Sequence, residues 1–316
     1  ALMSNTCGDW NTAIGLNSLK DNICGNSNFA AGYYAMCSNT TASYNEAIGH
    51  QALFSNTTGT GNKAIGLYAL LSNTCGNHNT AIGGESLRSN ISGCYNTAIG
   101  SNTLRGNTTG KYNIALGVNA LYNALSSDGN FAAGANTLYN NWSGCYNTAI
   151  GCNALNSNTT GGYNNAVGYQ ALKSNTTGIY NIAQGPYALY NNINGGYNTA
   201  IGLFALYNNT SGSNNIAIGS CAGRYITNGG DNETSSHSVY LGCDTRASGD
   251  GVCNEVVIGR GACGIGTDTV TLGSDSIVTT ALKGCVGIGI TDPDTELEVA
   301  GTIKASTHSD AIVIGS

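Results

Sequence analysis

The chain has 316 residues, 46 of them glycine and only 2 proline, with 9% charged residues and a net charge of −6. Its 11 Lys and Arg are spread over the whole length, which excludes a basic stripe able to neutralise phosphates, so no nucleic acid is expected as a partner. There is no run of about 20 apolar residues, so no membrane insertion is expected of this segment.

The pattern is present from the first residue. Thirteen asparagines recur every 17 residues, from Asn11, Asn28 and Asn45 through to Asn198 and Asn215, and each opens a segment close to Asn-x-Ala-Ile-Gly. With that asparagine as position 0, position +2 is always alanine, from Ala13 to Ala217. Position +4 is always glycine: Gly15, Gly32, Gly49, Gly66, Gly83, Gly100, Gly117, Gly134, Gly151, Gly168, Gly185, Gly202 and Gly219. Position +3 is mostly isoleucine, and +8 is leucine from Leu19 to Leu206 with Met36 the one replacement. Position +11 is usually asparagine and +14 usually glycine. Ala1 and Leu2 fall on +7 and +8, so the chain is expected to be a mature or cut segment of something longer.

A unit this short, punctuated by Asn and Gly, is too small for a helix pair or a propeller blade. The predicted fold is therefore all-β: a parallel β-solenoid, or β-roll, of 17-residue coils. Glycine columns mark positive φ or close backbone approach at corners. Stacking 13 coils at roughly 4.8 Å each gives about 60 Å. The Gly-x-x-Ala-Leu stretch, as at Ala52-Leu53 and Ala171-Leu172, reads equally as a second strand or as one helical turn.

Positions +2 and +3 are neighbours on a strand and point to opposite faces, yet both columns are apolar, with Gln184 the single polar residue at +3. One face fills the coil and the other needs a partner surface, most simply another copy of the chain, as in a homotrimer. The alternative is a bulge that turns both residues inward.

Two further columns raise candidate sites. Asn39, Asn56, Asn90, Asn107, Asn141, Asn158, Asn175 and Asn209 lie at +11 in Asn-x-Ser/Thr sequons and are candidate glycosylation sites. The competing and favoured reading is a structural corner, because Asn22 and Asn192 occupy the same column without being sequons. At position −1 stand Trp10, Tyr44, Tyr95, Tyr112, Tyr146, Tyr163, Tyr180 and Tyr197, a ladder suited to mutual stacking or to glycan contact.

Twelve cysteines favour an oxidising location, hence extracellular, on a cell surface or on a virion. Cys7 and Cys24 share a column in successive coils and are the candidate disulfide. Cys145 with Cys152, and the group Cys243, Cys253 and Cys263, are further suggestive spacings, against the alternative of small buried thiols. No Cys-x-x-Cys occurs and the four histidines are scattered, so no metal and no cofactor is assigned.

Beyond Gly219 the dialect changes. Gly223 takes the leucine column, and a polar stretch from Gly229 to Ser236 reads as an insertion or boundary. Coils at Val239-Tyr240-Leu241, Val256-Val257-Ile258 and Val270-Thr271-Leu272 follow, spaced by 17 and then 14 residues. The organisation is thus regular repeats over 1–228, an irregular β-roll continuation over 229–284 and a C-terminal strand or hairpin segment over 285–316. In the last, an alternating run from Leu297 turns at Gly301 and alternates again.

The run Val286-Gly-Ile-Gly-Ile-Thr-Asp-Pro293 followed by Leu297-Glu-Val-Ala-Gly-Thr-Ile-Lys-Ala305 resembles a segment near the distal end of phage tail fibres and tailspikes, just before their self-cleaving chaperone domain. The Asn-x-Ala-Ile-Gly coils, with Ser238 to Gly242 and Glu255 to Gly259, are similar to the left-handed β-roll repeats in trimeric autotransporter adhesin heads. Both families are homotrimeric fibres that attach a particle or cell to something else. The resemblance therefore implies a non-catalytic fibre shaft that spaces or presents an attachment tip, with a glycan or cell-surface receptor as a further partner. A bacterial adhesin or extracellular filament is the alternative. The chain departs from the adhesin pattern in its longer unit and carries no anchor barrel, stalk or chaperone domain. A glycan-degrading tailspike would need close paired carboxylates. Asp231 with Glu233 and Asp292 with Asp294 are the nearest pairs, both in turn-like stretches that favour solvated acids, so no enzyme is expected.

Overall fold

The computed structural model describes residues 1–277, together with the strand backbones at 286–288 and 297–299. Ala1–Ser274 form one compact unit and Asp275–Ser316 a second.

The first unit is a parallel β-solenoid of about 15 coils. Each coil contributes one three-residue strand, from β1 (Thr12–Ile14) at 17-residue intervals to β13 (Ile216–Ile218), then β14 (Val239–Leu241), β15 (Val256–Ile258) and β16 (Val270–Leu272). These sixteen strands form one parallel sheet in chain order. At about 4.8 Å per strand the sheet is about 70 Å long. Position +2 pairs with position +2 at every step of the repeat, as in Ala13 with Ala30 and Ala200 with Ala217.

The strands alternate. Alanine at +2 is fully buried from Ala30 to Ala217, whereas +1 and +3 point outward. No bulge turns Ala and Ile inward together. The interior is completed by the small residues at +7, such as Ala35 and Ala120, and by the +8 column of Leu19, Met36 and Leu53 to Leu206. Each buried leucine contributes roughly 2 kcal/mol.

The Gly-x-x-Ala-Leu stretch is neither a strand nor a helical turn. Its +6 and +8 residues both sit in the left-handed region: Asn119 has φ 56° and Leu121 φ 52°. For leucine this conformation costs roughly 1–2 kcal/mol. It is held because neighbouring coils take up the amides in alternating directions. The Asn119 N–H donates to Ser101 O of the preceding coil at 3.0 Å, and the Leu121 N–H to Thr137 O of the following one at 2.9 Å. A segment that pairs up and down by turns, with a left-handed residue at every second position, follows no period-2 or period-3.6 pattern.

The sheet runs through the change of dialect: β13 pairs with β14 and β14 with β15. The coil between β13 and β14 carries the extra residues as a loop closed by an antiparallel bridge between Tyr225 and Asp231. In the second unit, β17 (Val286–Ile288) and β18 (Leu297–Val299) pair in parallel, Val286 opposite Leu297. The turn expected at Gly301 and the alternation after it lie outside the described residues, as do Cys285, Asp292 and Asp294.

Candidate functional site

The largest unusual surface is the outer face of the sheet. Ile14 is 59% exposed, Ile218 43% and Leu272 51%, and the +1 column adds Phe29, Ile114, Ile182 and Val270. Among the +1 and +3 positions of the sixteen strands, Glu46 and Lys63 are the only charged residues, and they are ion-paired to each other across neighbouring coils. A face about 70 Å long and three residues wide presents roughly 700 Å², close to the 800 Å² that each partner contributes to a typical stable interface.

The asparagine columns are internal ladders. At position 0, Asn45 donates from Nδ2 to Asn28 Oδ1 at 3.3 Å and to Gly59 O at 3.0 Å, and its backbone N–H also reaches Asn28 Oδ1 at 3.0 Å. At +11, Asn39 Nδ2 donates to Asn22 Oδ1 at 2.7 Å and to Ala42 O at 3.0 Å. All eight sequon asparagines lie in this second ladder, buried to 1% exposure or less. The Nδ2 atom to which a glycan would be joined is the atom that donates to the carbonyl at +14 in each of them, as in Asn90 to Gly93 and Asn209 to Gly212.

The thirteen glycines at +4 all have φ between 115° and 145°. At Gly100 an added Cβ would lie 2.7 Å from the Gly117 carbonyl oxygen of the next coil. Cys7 and Cys24 form a disulfide with Cα atoms 4.8 Å apart, the spacing of one coil on the next. Cys145, Cys152, Cys243, Cys253 and Cys263 are free thiols. Asp231 accepts a short hydrogen bond from Asn208 Nδ2, while Glu233 is exposed and its backbone N–H is capped by Asp250. The two acids therefore serve the insertion loop with different partners. Burial raises the Asp250 carboxyl, but hydrogen bonds from the backbone amides of Thr234, Glu233 and Gly251 and from the Thr234 hydroxyl together outweigh it and hold the group below its ordinary range.

The aromatic residues form stacks. Tyr146, Tyr163, Tyr180 and Tyr197 follow one another with centroids 4.9 to 5.1 Å apart and planes within 23°. Gly129 closes the end of this stack, since a Cβ there would meet the Tyr146 ring at 2.7 Å. Rings that cover one another present edges rather than faces to solvent, whereas a sugar stacks on a free face. A shallow cavity of about 280 Å³ lies beside the stack, lined by Cys145, Gly162, Tyr163, Ile179 and Tyr180. A second stripe at +9 interleaves cations with rings, as in Arg105 over Tyr122 and Lys173 over Tyr190. Hydrogen bonding and charge from Arg105, with Arg88 beside it, hold the Glu85 carboxyl below its ordinary range.

One cluster escapes sequence reasoning. His237, one of four scattered histidines by sequence, lies between Asn214 of the preceding coil and Cys253 of the following one. The available signal was the shared −1 column of Asn214 and His237, hidden by the six-residue offset of the insertion loop. Among the described residues, no group of three or more His, Cys, Asp or Glu side chains is arranged to hold a metal ion, and no helix is long and apolar enough to cross a membrane. Compared with known proteins, the chain matches no family model and no curated protein sequence.

Proposed function

We propose that this chain is a non-catalytic fibre shaft, built as a homotrimer of parallel β-solenoids, that spaces or presents an attachment tip outside a cell or on a virion. The observation that carries this reading is the outward apolar face of the sheet. A monomer rarely leaves an apolar strip of this length in water, and a second and third copy supply a surface of the same chemistry and the same 17-residue pitch. Coaxial packing would bury the +3 isoleucines of all three chains together. The resemblance of the C-terminal run to phage tail fibres and of the coils to adhesin heads points the same way, and the Cys7–Cys24 disulfide favours an oxidising, extracellular setting. That disulfide equally suits a bacterial surface adhesin, the second reading. The two readings differ in what flanks this segment, a chaperone domain or an outer-membrane anchor.

Sedimentation in native buffer tests the assembly. Three chains per particle are expected for the parent, and a variant carrying Ile82→Lys with Ile99→Lys should sediment as a folded monomer, because two charges in the seam of each chain would be desolvated without partners. A monodisperse parent monomer would refute the shared seam.

A further inference from the structure

The left-handed residues at position −1 aim their side chains along the solenoid from coil to coil. Asn214 (φ 59°), His237 (φ 56°) and Asn254 (φ 55°) are three successive members of that column. Cys253 precedes Asn254 and stands in the column of Ser213 and Ser236. The backbone fixes the stack: the His237 N–H donates to Ser213 O at 2.9 Å and the Asn254 N–H to Ser236 O at 3.2 Å. The His237 ring therefore spans two coils. Its Nδ1 is 3.7 Å from Cys253 Sγ and its Nε2 is 3.4 Å from Asn214 Nδ2. Asn214, His237 and Cys253 are all exposed to solvent.

We propose that Cys253 is a nucleophilic thiol that exchanges with disulfides, with His237 as its proton acceptor and Asn214 as the residue that positions the imidazole. A thiol attacks only as the thiolate, so a neighbouring group able to take its proton decides which cysteine reacts. Imidazole is the side chain suited to that transfer near neutral pH. The asparagine amide serves both tautomers, since Nδ2 donates to a bare Nε2 and, with the amide turned over, Oδ1 accepts from Nε2–H.

Three other thiols face carbonyl oxygens, which cannot take a proton in this way. Cys145 and Cys94 approach the carbonyls of Ser143 and Ser92, and Cys263 approaches Gly261 O. Among the described residues, Cys253 alone has an imidazole within hydrogen-bonding reach.

The exchange balances without an added oxidant. The Sγ proton passes to Nδ1, the thiolate attacks one sulfur of an incoming disulfide, and the S–S bond breaks as a mixed disulfide forms on Cys253. The departing thiolate then takes the proton from the imidazolium, so one thiol and one disulfide enter and one of each leaves. The Cys253 backbone N–H donates to Thr267 Oγ1 at 3.3 Å. It is thus not free as an oxyanion donor, and acyl transfer, which depends on such donors, is disfavoured relative to exchange at sulfur.

The test uses the full chain and limiting dipyridyl disulfide, with the released pyridinethione followed by absorbance and the labelled cysteine located by peptide mass mapping. Cys253 is expected to react about tenfold faster than the exposed Cys263. His237→Gln should lower the Cys253 rate about tenfold and leave that of Cys263 unchanged. Asn214→Ala should lower it about threefold, and Asn214→Asp, which keeps an acceptor for Nε2–H, should restore it. All three substitutions are on the surface, and an unchanged melting curve confirms the fold. Equal rates at Cys253 and Cys263 in the parent, or an unchanged rate in His237→Gln, would overturn the proposal. An unchanged rate in Asn214→Ala would remove the positioning role alone.

Discussion

The regular coils and the last three coils close the same solenoid with different interiors. In the regular array the coils set alanine at +2 against leucine at +8, with Met36 the one replacement, and asparagine ladders run at positions 0 and +11. At the change of dialect both apolar columns switch together. Gly223 replaces the leucine and Tyr240 replaces the next alanine, and the tyrosine ring occupies the space: a Cβ on Gly223 would lie 2.6 Å from Tyr240 Cδ2. The ladder at position 0 changes too, through Ser238 to a fully buried Glu255 whose carboxylate accepts the N–H groups of Ser248 and Gly266. What is preserved across the boundary is the pitch, the strand register and the corner glycine, as Gly242 and Gly259 show with φ of 133° and 126°. Core chemistry can vary so long as volume is kept; backbone contact between coils cannot.

The largest effect should come from breaking that contact. Gly100→Val would place Cβ 2.7 Å from one carbonyl oxygen and 2.8 Å from its carbon, both backbone atoms of the next coil that have no room to move. Strain at φ 132° and overpacking together should cost about 4 kcal/mol. Gly266 has a similar φ of 140° but nothing within 4 Å of its added Cβ. Gly266→Val should therefore cost only the strain, about 1–3 kcal/mol. Chemical denaturation of the two variants separates the contributions, and equal losses would mean that backbone conformation, not coil contact, selects glycine.

How far the sequence reveals all this depends on whether a residue's neighbours share its column. Ala13, Gly15 and Leu19 are legible because every coil repeats their environment, and the 4.8 Å approach of Cys7 to Cys24 follows from the pitch alone. The outward face of the +3 isoleucines is legible from the alternation of a strand, since the coil has room inside for alanine and leaves the neighbouring column outside, where Ile14 is 59% exposed and Ile218 43%. The left-handed leucines are not legible. Nothing in the residue favours φ near 50°, and the hydrogen bonds that impose it come from other coils. The pairing of His237 with Asn214 is hidden because the insertion loop breaks the count that would align them. His237 and Cys253, by contrast, stand in adjacent columns of coils at the regular 17-residue spacing, and they escape notice because neither residue recurs in the coils on either side of it.

The Tyr240 and Gly223 pair can be tested as a unit. Tyr240→Ala should cost about 3–5 kcal/mol by leaving a cavity, and Gly223→Leu about 1–3 kcal/mol by overpacking. The double variant restores the pairing of the regular array, and its loss should be well below the sum of the two single losses. Simple additivity would show that the two positions do not share one space.

Alkali should distinguish the same two regions. Burial pushes the Tyr240 phenol up to about 12, with the Glu255 carboxylate adding to the rise, whereas the stacked tyrosines of the array are largely open to solvent. The folded value lies above the ordinary value near 10, so the phenol's contribution is complete below pH 10 and is lost as pH rises from about 10 to about 12. The loss amounts to about 3 kcal/mol. Hydrogen exchange should show the coils around β14 opening first in that window, and Tyr240→Phe should remove the pH dependence there. Uniform alkaline opening along the solenoid would contradict this assignment.

The smallest effect is a repair within the regular array, where one coil departs from its neighbours. Ala124 stands at +11 in place of asparagine and Ser127 at +14 in place of glycine. The ladder stops there: Asn107 Oδ1 and Ser127 Oγ are both buried without a hydrogen-bond partner, and Asn141 Nδ2 keeps only Gly144 O, at 2.7 Å. An asparagine at 124 would donate to Asn107 Oδ1 and accept from Asn141 Nδ2. The +14 residue is usually a glycine set against the ladder amide, where a Cβ on Gly110 would sit 2.4 Å from Asn107 Oδ1. Ser127→Gly is therefore paired with the substitution to give the new amide that room, although Ala42 shows that the column also accepts a methyl group beside an intact ladder. Two neutral hydrogen bonds at about 1 kcal/mol each, less some packing loss, give Ala124→Asn with Ser127→Gly a gain of about 1–2 kcal/mol, read as a higher denaturant midpoint at unchanged slope. A midpoint at or below the parent's would mean that the coil has relaxed around the gap and that continuity of the amide ladder contributes little to the stacking of coils.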